Sequence, residues 1–259
     1  MQLKRGIILI LGYIILSTSF ACANRVNSDQ SSESNSLPTA MLLETYKIIQ
    51  YDSGSLLLCK MTEEDAGGQL YTLSLDGCNI MNETGNEFPR DNLKNGMLVA
   101  LASGTITEIY PSELIGVYSI TVYKQENDVV GFYFDMITRI FAENGNINTG
   151  IDMISLDLTG VSNLTESEKS ALEYLVSCEY PLEIRRNTID ELKEEGLITK
   201  NYFEKGIVII IKGQATSDDS ILFSISKYRG GLSGYGYDNW TANISGNTWE
   251  EETGETFVA

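Results

Sequence analysis

The stretch GIVIIIKGQATSDDSILFSISKY, residues 206–228, decides the fold class of the C-terminal half of the chain. Two apolar runs, at residues 206–211 and 221–228, are rich in the β-branched and aromatic residues that favour strands. The polar segment between them, residues 215–220, has the composition of a hairpin loop. The sequence therefore predicts two antiparallel strands here.

Helical patterns precede this hairpin in the chain. Apolar residues recur at spacings of three and four between residues 130 and 141, which predicts an amphipathic helix. Thr165 and Glu168 have the spacing of a capping box, in which each side chain accepts the backbone N–H of the other residue. The helix that begins there has an apolar face ending at Cys178, so we expect this thiol in the core. Residues 188–191 repeat the capping box and predict a short third helix.

Two more strands are predicted after the hairpin, at residues 239–244 and 248–257. Helices followed by strands indicate an α+β domain over residues 127–259, with an antiparallel sheet. Curved sheets of the cystatin-like or NTF2-like kind are the nearest architecture.

The N-terminal half has the pattern of β structure. Strand-like runs at residues 69–75, 97–109 and 117–123 are separated by polar or glycine-bearing turns. Several short strands and few helices predict a small β-barrel over residues 41–126. The polar residues 124–128 interrupt the two apolar patterns, so we expect the boundary between two domains near residues 124–129.

Four segments resemble a group of uncharacterised cell-surface lipoproteins of Gram-positive bacteria. They are LYTLSLDGCNIM (70–81), DNLKNGMLVALASGTITEIYPSEL (91–114), GVYSITVYK (116–124) and KYRGGLSGYGYDNWTANISGNTW (227–249). The resemblance implies a small OB-like β-barrel domain followed by an α+β domain, so that the whole chain is α+β. It also implies a location at the cell surface, and it brings no known catalytic residues.

The N-terminus has the order of a signal peptide. Lys4 and Arg5 precede an apolar run, residues 6–20, that is shorter than a comfortable transmembrane helix. The sequence that ends at Cys22 resembles the lipobox of bacterial lipoproteins, although Ser19 stands where that motif prefers Leu. We therefore predict a signal peptide at residues 1–21 and a lipid on Cys22.

Residues 22–40 follow as a Ser- and Asn-rich segment, which predicts a lipidated Cys and a disordered tether. Loss of residues 1–21 changes the formal charge from −18 to −20. Such acidity argues against nucleic acid and against binding to anionic headgroups, so membrane attachment depends on the covalent lipid. The predicted location is the outer face of the cell membrane.

The composition also excludes several kinds of catalysis. The chain has no histidine, which removes His-dependent triads and most catalytic zinc sites. Ser224 and Lys227 match the Ser-x-x-Lys spacing, but a strand sends them to opposite faces. Three cysteines besides Cys22 leave at least one unpaired, and a bridge between Cys59 and Cys78 stays open. We expect no metal and no cofactor.

An aromatic cluster near the C-terminus is the candidate binding site, with a protein or a glycan as its ligand. Aromatic and Arg side chains anchor interfaces because they bring large contact area and fixed geometry. The candidates are Arg229, Tyr235, Tyr237 and Trp240. The alternative is that these rings fill the concave side of a small sheet.

The predicted function is that of a non-catalytic surface lipoprotein that binds a protein or cell-wall ligand. The alternative is an envelope hydrolase that uses carboxylates alone, such as a glycosidase, which needs two Asp or Glu in one cleft.

Overall fold

The structure is a computed structural model. It describes residues 43–61, 69–102, 104–231, 233–245, 248–252 and 254–258. The predicted signal peptide, Cys22 and the tether lie outside the described residues. Within the described ranges, no helix combines the length and the apolar content needed to cross a membrane.

The first half of the described chain forms one eight-stranded sheet. Its strands are β1 (Leu43–Asp52), β2 (Ser55–Lys60), β3 (Leu70–Ser74), β4 (Asn79–Asn82), β5 (Met97–Ala102), β6 (Thr105–Ile106), β7 (Ser112–Ile115) and β8 (Ser119–Gln125). The strand order is β4-β8-β5-β1-β2-β3-β7-β6, which is that of an open sheet. We call it the first sheet.

The second half contains three helices and a second sheet. The helices are α1 (Val129–Ala142), α2 (Glu166–Glu179) and α3 (Ile189–Glu194). The strands are β9 (Met153–Val161), β10 (Glu183–Arg185), β11 (Ile198–Thr199), β12 (Tyr202–Phe203), β13 (Gly206–Ser217), β14 (Ser220–Gly230), β15 (Ser233–Ser245), β16 (Thr248–Glu252) and β17 (Glu255–Val258). Among the described residues, most of the regular structure is strand, with three α-helices. The chain is therefore α+β in a loose sense.

The local predictions are confirmed where they rest on capping and alternation. Both capping boxes are present, at the starts of α2 and α3. After α1 the chain turns at Asn144, which adopts the left-handed conformation at φ 47°. β13 and β14 are antiparallel, and their pairing extends to Ser217 opposite Ser220, so the connecting turn is shorter than predicted.

The second sheet is mixed, which corrects the prediction of an antiparallel sheet. β9 pairs in parallel with both β10 and β13. The reason lies in the connection: α2 carries the chain from β9 back to the same end of the sheet, and such a crossover produces parallel neighbours. The strands from β13 to β17 are antiparallel, as the hairpin pattern indicated.

Two of the helices, α1 and α2, pack between the two sheets, whereas α3 packs through Leu192 on the opposite face of the second sheet. One face of β1 and β2, including Ile48 and Leu58, belongs to the core of the first sheet. The opposite face, including Ile49 and Cys59, belongs to the core that α1 and α2 share with β13, β14 and β15. Burial on both faces explains why β2 is almost continuously apolar in sequence. The molecule therefore has a helical layer between two layers of strands.

A buried ion pair joins the first sheet to the helical layer. Lys47 Nζ in β1 lies 2.6 Å from Glu168 Oε1 in α2 and 3.1 Å from Glu126 Oε2 in the connection to α1. Burial disfavours the charged form of Lys47, but the two carboxylates favour that form more strongly. The pKa of Lys47 is therefore raised. The second oxygen of Glu168 accepts hydrogen bonds from Thr165 N and Oγ1, so one carboxylate both caps α2 and docks it.

We predict that Lys47→Met destabilises the protein by about 3–5 kcal/mol, because it leaves the Glu168 carboxylate buried without its counter-charge. The measurement is the free energy of unfolding in urea at neutral pH. In the matched double variant, Lys47→Met with Glu168→Gln, the amide oxygen can still accept the capping bonds, so most of the loss should be recovered. A single variant as stable as the wild type would contradict the prediction.

The same contacts predict an effect of acid. Burial opposes the ionisation of Glu126, yet Lys47 and Lys124 hold its pKa below the ordinary value. The Glu126 carboxylate therefore stabilises the fold at pH values above the ordinary pKa of a Glu. This stabilisation is lost as the pH falls through the lowered pKa of Glu126.

The predicted division into domains 41–126 and 127–259 falls in the connection from β8 to α1. It is a statement about independent folding and stays a prediction.

Candidate functional site

A bulge in β15 brings together three of the four residues predicted from sequence. Trp240 pairs with Phe223 and Tyr237 pairs with Ile225, so β15 has one extra residue between these pairs. Asn239, within the bulge, adopts φ 53°. Residues three apart on a regular strand point to opposite faces, but the extra residue restores Trp240 to the face of Tyr237. The ring centroids of these two residues lie 4.6 Å apart.

The aromatic cluster packs against the C-terminal half of α1. Tyr237 donates a 2.5 Å hydrogen bond to Glu143 Oε1, and the Arg139 guanidinium lies 5.1 Å from the Tyr237 ring centroid. Trp240 Nε1 donates to the Glu255 carbonyl at 3.1 Å. Tyr237 is 3% exposed and Trp240 8%. The cluster, which includes the half-buried Tyr235, therefore has its partners inside the fold. Its role in binding stays a prediction.

Arg229 lies apart from the aromatic cluster, and its side chain binds backbone carbonyl groups. It is buried in β14, and its guanidinium donates to four carbonyl oxygens: those of Ile147 and Thr149, each at 2.7 Å, Glu204 at 2.8 Å and Phe203 at 3.3 Å. Four charge-assisted bonds use most of the donors of the side chain. Arg229 therefore ties the loop after α1 to the β12–β13 turn.

Ser224 and Lys227 lie on opposite faces of β14, as alternation predicted. The Lys227 ammonium is buried and donates to the carbonyls of Phe141 and Glu143, at the end of α1, and to Asn148 Oδ1. Burial lowers its pKa to about 8, against the nearby Glu143 charge, which raises it. Ser224 Oγ instead donates to Asp238 Oδ1 at 2.7 Å. This separation excludes a Ser–Lys catalytic pair.

An open cavity lies where the first sheet, the helical layer and β16 meet. We call it the intersheet cleft; its volume is about 400 Å³. Its lining residues are Ile49, Gln50, Asn95, Asp128, Gly131, Phe132, Phe134, Asp135, Leu175, Cys178, Glu179 and Trp249. It combines carboxylates, an amide pair and aromatic rings, and its volume falls in the range of small-molecule sites.

Asp128 holds one wall of the cleft through the start of α1. As the N-cap residue, it accepts a hydrogen bond from Gly131 N at 2.9 Å on Oδ1 and one from Asn95 Nδ2 at 3.1 Å on Oδ2. Burial raises its pKa, and the charge of Asp135, two turns along α1, adds to this effect. A Cβ at Gly131 would collide with the Asp128 carboxylate, so the close approach requires glycine there.

Aromatic rings form the apolar wall. Trp249 of β16 is half-buried, and its ring centroid lies 4.7 Å from that of Phe132 in α1. Phe134 is half-buried beside them. A half-buried indole next to carboxylates leaves an accessible aromatic surface, unlike the covered cluster around Tyr237.

Cys178 is exposed and lines the cleft, which corrects the expectation of a core position. Ala171 and Leu172, earlier on the same helix, are fully buried beneath the first sheet. Cys178 belongs to the last turn of α2, where that cover ends. Cys59 is buried and Cys78 half-buried, both as free thiols, and burial raises the pKa of Cys59 to about 12.

No protein-family model, curated protein or solved structure matches this chain.

A second cavity, of about 230 Å³, lies between α2 and the start of α3. Its two cations, Lys169 and Arg186, both contact Glu166, at 2.8 and 3.0 Å. Because these charges are already paired, the intersheet cleft is the stronger candidate.

Sequence reasoning missed the intersheet cleft. Asp128 was detectable, since an Asp directly before an apolar helical pattern is a typical N-cap. Trp249 and Glu179 carried no such signal, because only the packing of β16 and α2 brings them to one place.

We predict that Trp240→Ala lowers the free energy of unfolding by about 3–5 kcal/mol, as expected for a large ring removed from a core. Tyr118→Ala is the matched control, because Tyr118 is 76% exposed. Its substitution should change stability by less than about 0.5 kcal/mol. Chemical denaturation of the full chain measures both, and equal small effects would favour an anchor role for Trp240.

Proposed function

We propose that the protein is an exported, lipid-anchored surface lipoprotein of non-catalytic type that binds a protein or cell-wall ligand. The proposal places the ligand in the intersheet cleft. The observation that carries it is the combination, in one open cavity, of the half-buried Trp249 with Asp128, Asp135 and Glu179. The anchor is supported by the order of a basic start, an apolar run and Cys22 in the sequence.

The aromatic cluster supports this choice by elimination. Tyr237 and Trp240 are covered by α1 and engage Glu143, Arg139 and the Glu255 carbonyl. A ligand would have to displace these contacts before it reached the rings. The intersheet cleft presents an aromatic ring without that cost.

We also propose that residues 41–126 form an OB-like β-barrel. β3 pairs in parallel with β7 through Tyr71 and Ser112, and β4 pairs in parallel with β8 through Asn79 and Ser119. β4 follows β3 along the chain and β8 follows β7, so two long segments pair along their length. In the strand order, β4 and β8 stand at one end, whereas β3 and β7 stand near the other. Because β4 continues from β3 and β8 continues from β7, these two segments connect the two ends, as barrel closure requires. For residues 127–259 the proposed likeness to cystatin-like or NTF2-like sheets rests on α1 and α2, which cover one face of β13, β14 and β15.

A carboxylate-based envelope hydrolase, such as a glycosidase, is the alternative. The cleft holds two Asp in different environments, one half-buried with a raised pKa and one exposed. An acid and a base with separated pKa values are what such chemistry uses. Against it, both oxygens of Asp128 accept hydrogen bonds from the fold, which favours a structural carboxylate.

Asp128→Asn distinguishes these functions. Asn caps a helix about as well as Asp, so the fold should persist while the acid is lost. We expect neither the wild type nor the variant to release reducing sugar from cell-wall polysaccharide. Release by the wild type that the variant abolishes would establish the hydrolase instead.

We predict that Cys22→Ser abolishes metabolic labelling with a clickable fatty acid and moves the protein into the medium, because it removes the thiol that would carry the lipid. Cys178→Ser is the matched control and should label like the wild type. A wild type that takes up no label would show that the lipoprotein proposal is wrong.

A further inference from the structure

The lining of the intersheet cleft is acidic. Asp128, Asp135 and Glu179 line it, and none of its lining residues within the described chain is Lys or Arg. Glu179 makes no ion pair with a described residue. The cleft therefore differs from the second cavity, where Lys169 and Arg186 contact Glu166.

The end of α2 adds to this negative potential. Helix C-termini carry partial negative charge, and basic residues normally stabilise the last turn. The last turn of α2 contains no basic residue, and it ends with Glu179. An acidic side chain at this position is unfavourable for the helix alone. A cation in the cleft would relieve that repulsion.

The aromatic wall selects the kind of cation. Trp249 is half-buried in the lining, with its ring centroid 4.7 Å from that of Phe132, and Phe134 and Leu175 are apolar neighbours. A ring face attracts an ammonium group electrostatically, and an alkyl stem gains from contact with apolar walls. A bare divalent ion would use only the oxygens, and no cluster of metal-binding side chains is found among the described residues.

From these observations we infer that the intersheet cleft binds an alkylammonium group, that of a lysine side chain in a basic peptide. The inference rests on the proposed ligand-binding function and names the class of ligand. The net charge of −18 acts in the same direction, because a strongly acidic surface attracts basic polypeptides over distance and raises their rate of association.

The test uses Cys178 as a reporter in the full-length protein. Its thiol lines the cleft and is exposed, so a bound peptide should slow its reaction with a maleimide. Peptide mapping by mass spectrometry follows Cys178, with Cys78 as an internal control outside the cleft. The probes are trilysine, spermidine, trimeric glutamate and cellotriose, and calorimetry measures the affinity of each.

We expect trilysine to bind and to protect Cys178 but not Cys78, with affinity that falls when salt is raised from roughly 0.05 M to 0.5 M. Glu179→Gln should weaken binding by about threefold to fivefold, the range for one exposed charge pair. Glu194→Gln is the matched control, because it removes an exposed carboxylate of α3 outside the cleft.

Other outcomes overturn the inference in distinguishable ways. Protection by cellotriose and not by trilysine would reject the ligand class and leave the proposed ligand-binding function in place. Protection by spermidine alone would reject a peptide as the source of the ammonium. Trilysine binding that Glu179→Gln leaves unchanged would reject the site. Absence of any protection would reject the ligand class and the proposed function of the cleft together.

Discussion

The buried contact between Lys47 and Glu168 is the constraint on which the arrangement of the layers depends. An ammonium and a carboxylate that are almost completely removed from water are stable only when they meet each other with good geometry. Lys47 is fixed in β1 by its strand pairing with β2 and β5, and Glu168 is fixed in the first turn of α2 by its capping box. The contact therefore sets the position of α2 against the outer face of the first sheet.

The other side of the helical layer is held by two cations from one strand. Lys227 and Arg229 both lie on the buried face of β14, and both donate to backbone carbonyls at or beyond the end of α1. Cations at a helix C-terminus satisfy carbonyls that have no partner within the helix. α1 is thus fixed to the second sheet by charge-assisted bonds and by its apolar face. α2, whose last turn has no such cation, ends at the cleft.

These two attachments explain where a ligand can approach. The aromatic cluster around Tyr237 lies beneath α1 and serves the packing of the layers. The intersheet cleft opens where the helical layer extends beyond the cover of the first sheet, so that Trp249 and Glu179 keep exposed surface. The aromatic composition of residues 228–249 indicated recognition in general terms. Of the residues in that segment that the structure describes, only Trp249 lines the cleft that we propose for the ligand.

Much of the local structure was determined by the sequence itself, because local chemistry specifies it. The two capping boxes, the helical period of α1 and the alternation in β14 depend on neighbours a few residues apart, and all are present in the structure. The separation of Ser224 from Lys227 followed for the same reason. Tertiary structure decided the rest: the parallel pairing of β9, the exposure of Cys178, and the bulge that returns Trp240 to the face of Tyr237. The cleft depends on contacts between residues far apart in the chain, such as Gln50, Asp128, Glu179 and Trp249, and no pattern in one sequence specifies which distant side chains will meet.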